Sequence, residues 1–258
     1  MKTLKLEQVE HNIKVGKKCK FYEPNVKEDC LLEVDGEVIG FYINNVEKYS
    51  KKLHLLLGVA NQEFRSSNVP KAIMNRTSGE QGHTEKIQQY STILGGVAPR
   101  PHMRRPYPNI SSVHRDKKAQ TFIKAMWGCC LEAEQIIKKL TPNIHERQVE
   151  LFKDIKKEWR FGNMYTSSIS NFNIAAPFHR DTGNIEGTVN IILTKRNNSN
   201  GGCLNVPDYN VTFEQADNSM LVYPAWRNVH GVTPIKPIAE NGYRNSLIFY
   251  PLKAFKGI

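Results

Sequence analysis

The sequence has 258 residues, 40% of them hydrophobic and 24% charged, with a formal net charge of +11 at pH 7. That balance excludes a disordered or fibrous chain, and no stretch reaches the roughly 18 consecutive apolar residues of a membrane-spanning helix. The excess of Lys and Arg biases the chain toward polyanionic partners without naming one.

The first residues begin like a secretion signal, but Glu7, Glu10 and His11 interrupt any apolar segment, so an intracellular, cytoplasmic protein is expected. Cys19, Cys30, Cys129, Cys130 and Cys203 form no CxxC pair and read as reduced thiols, the adjacent Cys129 and Cys130 as small buried side chains. Residues 31–34 and 38–43 flank Asp35-Gly36, a hairpin signal. Apolar periodicity predicts helices over 46–64 and 119–140, the second closed by Thr141-Pro142, and a third over 146–159. Residues 65–118, rich in Gly, Pro, Ser and Arg, read as loop. Within them Arg100, Arg104, Arg105, Arg115, Lys117 and Lys118 crowd a Pro-rich stretch without periodicity, the mark of an exposed basic segment.

Beyond residue 159 the character changes. Short β-rich runs at 164–174, 188–194, 203–206, 211–213, 220–223 and 244–251 alternate with turn residues. The reading is a mainly β, α+β fold: a double-stranded β-helix (jelly-roll) core over 159–258, with a helical and loop-rich part, 1–158, packed on it as one catalytic domain.

The chemistry concentrates in Pro177-Phe178-His179-Arg180-Asp181, between two of these runs. In an extended segment residues i and i+2 point to one side, so His179 and Asp181 can offer an imidazole and a carboxylate to one ion. His230, at the end of another β-like run, can return to the same mouth as a third ligand. Two histidines and one carboxylate on one face of a metal leave positions open, the arrangement suited to non-haem Fe(II) and O2. An HxD alone is weak, since each member has a bland reading: a core His, a solvated Asp. Arg244 sharpens it. With Ser246 it shares one face of a strand, where a guanidinium and a hydroxyl can clamp the distal carboxylate of 2-oxoglutarate.

From about Trp159 onward these residues resemble the ten-eleven translocation/J-binding protein (TET/JBP) family of 2-oxoglutarate dioxygenases. The resemblance is carried by His179-Arg180-Asp181-Thr182-Gly183-Asn184, by Gly201-Gly202-Cys203-Leu204, and by His230-Gly231-Val232-Thr233-Pro234 followed by Arg244-Asn245-Ser246. It implies oxidation of the 5-methyl group of a pyrimidine in DNA, 5-methylcytosine before thymine, with the base flipped into the site. It matches His179, Asp181 and His230 to the iron ligands and Arg244 with Ser246 to the co-substrate clamp. Asn184 falls where the family reads the polar edge of the base, and Arg180 joins the expected substrate contacts. Asn173 matches a recurrent Asn that either serves the substrate or caps a turn. Arg100, Arg104, Arg105, Lys195 and Arg196 are then candidates for phosphate contacts, or simply solvated charges. The chain lacks the cysteine-rich zinc module of the animal members, which implies a compact form of the kind found in viral or microbial genomes, acting as a monomer. The competing expectations are an oxygenase of the same class acting on RNA, a protein side chain or a small molecule, and a non-catalytic nucleic-acid-binding module.

Overall fold

The computed structural model describes residues 1–73 and 87–258. Two facing sheets form a jelly roll. The larger sheet runs, in spatial order, Lys2–Lys5, Cys30–Val34, Glu37–Ile43, Met220–Tyr223, Asn190–Asn197, Tyr243–Tyr250, Ser167–Phe172, Tyr90–Val97 and Ala72–Ile73. The smaller runs Val211–Phe213, Leu204–Val206, His230–Val232 and Ala176–His179. Neighbouring strands are antiparallel except the first pair of the larger sheet.

The two faces of the larger sheet follow from the two-residue period of a strand. Leu247 and Phe249, with Ile191 and Leu193 on the next strand, point away from the smaller sheet into a core shared with Leu53, Leu57, Phe64, Phe122 and Met126. Helices Lys51–Arg65 and Gln120–Leu140 close that core, the first started by Ser50, whose hydroxyl accepts from Leu53 N–H at 3.0 Å. On the opposite face Ile192 joins Leu221, Tyr223, Leu204, Val206 and Phe213 between the sheets. Each fully buried residue of this size contributes about 1.5–3 kcal/mol of transfer free energy, so helices and smaller sheet together hold the central strands in place from both faces.

The expected hairpin, the two long helices and the run of later strands are present, with ends shifted by a few residues. Two expectations are corrected. The third helix is Pro142–Leu151, not 146–159. The long helix does stop at Thr141-Pro142, and Pro142 sits in the first turn of this next helix, where its missing N–H has no intrahelical partner to lose. Residues 65–118 are not simply loop, since Tyr90–Val97 pairs along its length with Ser167–Phe172. Its aromatic and β-branched run, Tyr90-Ser91-Thr92-Ile93, outweighs the surrounding Gly and Pro once a partner strand is available. Strands from 1–158 and from 159–258 therefore share one sheet. No helix among the described residues is long and apolar enough to cross a membrane, and all five cysteines are buried free thiols.

Candidate metal centre

His179 ends one strand of the smaller sheet and His230 begins its neighbour, and the two are direct register partners. Their rings lie 4.4 Å apart between centroids. Each imidazole is held by a backbone carbonyl, His179 Nδ1 at 2.7 Å from Pro177 O and His230 Nδ1 at 3.1 Å from Asn228 O. A proton on each Nδ1 leaves each Nε2 as a lone-pair donor aimed at the common space.

The strand ends at His179, so Asp181 reaches the site from a turn rather than from an extended run; its N–H donates to Ala225 O at 3.1 Å. Asp181 Oδ1 stands 3.5 Å from His179 Nε2, and one ligand atom from each of the three residues lies within 4.8 Å of the others. Asp181 Oδ2 accepts from Asn190 Nδ2 at 2.9 Å, and Asn190 Oδ1 in turn accepts from Asn184 Nδ2 at 2.8 Å. Burial acts to raise the Asp181 carboxyl, but His179 and His230 beside it and the hydrogen bond from Asn190 together hold it below the ordinary carboxylate value. Burial, with His179 beside it, lowers His230 to about 4. At neutral pH the cluster is therefore an ionised carboxylate with a neutral His230, the forms that ligate a metal.

A cavity of about 450 Å³ opens from this cluster and runs to Arg244 and Ser246. Arg244, Ser246, Ile248 and Tyr250 line it from alternate positions of one strand, with Asn171, Asn190 and Ile192 from its neighbours and Tyr223 from the strand beyond. Gly202 makes room for the arginine stem, since a Cβ there would stand 3.1 Å from Arg244 Cδ. Arg244 Nη2 lies 3.4 Å from Gln215 Oε1, which also accepts from Thr194 Oγ1 at 2.7 Å. Arg244 Nε and Ser246 Oγ, both buried, have no hydrogen-bond partner. A buried donor without an acceptor costs roughly 1–3 kcal/mol, so two of them facing one cavity mark a place for an anionic acceptor. Burial, reinforced by Arg196 as its register partner on the adjacent strand, lowers Arg244 to about 9. A carboxylate in the cavity would relieve both.

The other expected contacts divide. Asn184 lines the cavity and Arg180 stands exposed at its rim. Asn173 does not reach it. At φ 54° it follows the strand Ser167–Phe172 and is tied to the backbone of the neighbouring strand, its Oδ1 accepting from Arg244 N–H at 2.9 Å and its own N–H donating to Arg244 O at 2.8 Å. Lys195 donates to Asp217 Oδ2 and Asn218 Oδ1, at 2.8 and 2.9 Å. Arg196 corrects the expectation of a phosphate contact: its guanidinium is taken by the carbonyls of Gln215, Ser199 and Gly201. Those backbone oxygens need a donor inside the fold, and Arg196 supplies it. Arg100, Arg104 and Arg105 line a second cavity of about 720 Å³ with Lys71, Arg115 and Tyr107.

Sequence reasoning missed Asn190, Gln215 and Tyr223. Asn190 carried a signal, a polar residue in an apolar strand on the same face as Ile192 and Thr194; Gln215 carried none, because its partners are far away in sequence.

No protein-family model matches the sequence, and no curated protein is similar to it. Among solved structures the chain is similar to NgTET1 in complex with 5mC DNA, with a TM-score of 0.59 and 17% identity over 95% of this chain and 84% of that one. It is also similar to an oxidoreductase of the 2OG-Fe(II) oxygenase family from Burkholderia pseudomallei, with a TM-score of 0.41 and 14% identity over 76% and 77% of the two chains. OsALKBH1 gives a TM-score of 0.42 and 13% identity over 81% and 96%. What the chain shares with NgTET1 is its fold, and within that fold it sets two histidines and an aspartate around one open coordination site.

Proposed function

We propose that this chain is an Fe(II)- and 2-oxoglutarate-dependent dioxygenase of the TET/JBP kind, hydroxylating the 5-methyl group of a pyrimidine in DNA, with 5-methylcytosine the favoured base. The observation that carries the reading is one cavity with a His-Asp-His cluster at one end and the unpartnered Arg244 Nε and Ser246 Oγ at the other. His179, Asp181 and His230 would hold the iron, and Arg244 with Ser246 the distal carboxylate of the co-substrate. When bound, iron, 2-oxoglutarate and O2 supply the oxidising power for an unactivated methyl C–H bond. The protein orients: Asn190 fixes the Asp181 carboxylate, and the two carbonyls fix the imidazoles. Ile169, Ile192 and Ile248 give the cavity a wall that excludes water from the reacting methyl.

The choice of DNA is supported by the surface beside the cavity. Ser91 and Ile93, which line the cationic groove, are cross-strand partners of Asn171 and Ile169, which line the metal cavity. Directly paired residues share a face of the sheet, so the groove lies one strand from the site. Five cations with an exposed Tyr107 suit a phosphodiester backbone, and a base reaches the cavity by extrusion from the stack. Asn184 and Arg180 are then placed to meet the base at the wall and rim.

The test is nucleoside mass spectrometry after incubation with Fe(II), ascorbate and 2-oxoglutarate, using one duplex containing 5-methylcytosine and one containing thymine alone. A gain of one oxygen on 5-methylcytosine is expected. Succinate formation without any modified base would move the substrate to RNA, protein or a small molecule; absence of both would leave a binding module.

A further inference from the structure

Both histidine-bearing strands are backed by an N-terminal strap, residues 9–22, that contains no regular element. Its backbone pairs with the chain beside His179 and with Asp208. Gly16 N–H donates to Phe178 O and Phe178 N–H to Lys17 O, both at 2.8 Å, immediately before His179. Val9 N–H donates to Asp208 O at 2.8 Å. Cys19 is buried against Phe178 and Val229, the residues that precede His179 and His230, with Ile13 and Tyr22 packed around them. Gly231, following His230, has no room for a side chain: a Cβ there would stand 2.9 Å from Cys19 Cβ. The strap thus presses on the neighbours of both ligands.

A polar relay runs beside this apolar contact. His11 Nδ1 accepts from Ile13 N–H at 3.1 Å, so its proton sits on Nε2, which donates to Asp208 Oδ1 at 2.7 Å. Asp208 Oδ2 accepts from Asn228 Nδ2, and Asn228 O accepts from His230 Nδ1. Asp208 is 8% exposed, and nothing in the proposed chemistry uses it.

We infer that the N-terminal strap is a positioning clamp for the metal centre, holding His230 in its ligating orientation through His11, Asp208 and Asn228. The carboxylate fixes the Asn228 side chain; the Asn228 carbonyl is thereby held where it takes the Nδ1 proton, and the Nε2 lone pair is left for the metal. Groups behind a ligand govern metal affinity in this way without touching the ion. The inference rests on the metal-centre reading but not on the choice of substrate.

Asp208→Asn tests it in the full chain. The amide is isosteric but cannot accept from both His11 and Asn228. Two readouts avoid turnover: Co(II) affinity by titration, and the 15N shifts of the His230 ring in the metal-free protein. The expected result is Co(II) binding weakened about 10–100-fold, with loss of the single Nδ1–H tautomer, while the thermal transition stays cooperative. His11→Ala acts from the outer end of the relay, where a folding defect is not expected, and should weaken Co(II) in the same direction; His11→Gln, which keeps a donor toward Asp208, should recover part of the loss. Variants matching a Co(II)-binding wild type in both readouts would overturn the clamp. A wild type that bound no Co(II) would overturn the metal centre, and the clamp with it, whatever the outcome with DNA.

Discussion

His179 and His230 are partners in one antiparallel ladder, and that single register fixes their rings 4.4 Å apart. A slip of one residue would turn either side chain to the opposite face. The metal site is therefore a property of strand pairing before it is a property of the ligands.

His179→Ala and Asp181→Ala should each abolish Co(II) or Fe(II) binding and succinate formation while leaving the fold intact, because both side chains are partly exposed and belong to no hydrophobic cluster. Circular dichroism and equilibrium dialysis check this. A variant turning over at the wild-type rate would remove these residues from the centre.

Asn190→Ala deletes the donor that orients Asp181 and frees the Asn184 amide behind it. Metal affinity should fall on the order of 10–100-fold with the three ligands unchanged. Isothermal titration with Co(II) measures it, and unchanged affinity would mean that the aspartate needs no such support.

Arg244→Ala should raise the apparent KM for 2-oxoglutarate far more than that for the methylated oligonucleotide. Arg244→Lys should restore little, since an ammonium cannot reproduce the planar fork. Ser246→Ala should have a smaller effect in the same direction, as expected for a neutral donor beside a charged one. Equal co-substrate dependence in all variants would exclude the clamp.

Replacing Arg104 and Arg105 together by Ala should weaken binding of any duplex alike, methylated or not, and flatten the dependence of log K on log[salt]. Each lost phosphate contact reduces the slope by about 0.9. Fluorescence anisotropy across salt concentrations reads this. If the slope stayed the same, the groove would not be the phosphate track.

Sequence alone determined the residues whose evidence is local. Arg244 and Ser246 alternate on one strand, and the β-rich runs after residue 159 announce a two-sheet core, because the strand period is written directly in the order of side chains; His179 and Asp181 stand out by their HxD spacing, although Asp181 meets the site from beyond the strand end. The resemblance to TET/JBP supplied the chemistry that the proposed function carries. What the tertiary structure decided is everything that depends on long-range pairing. It put Tyr90–Val97 into the sheet despite its Gly- and Pro-rich surroundings, tied Asn173 to the Arg244 backbone, and turned Arg196 inward onto three carbonyls. It also brought Asn190 to Asp181, Gln215 to Arg244, and His11 to Asp208 from the far end of the chain. A buried polar group must find a partner wherever the fold offers one, and that partner is set by register and crossing strands, which no local pattern records.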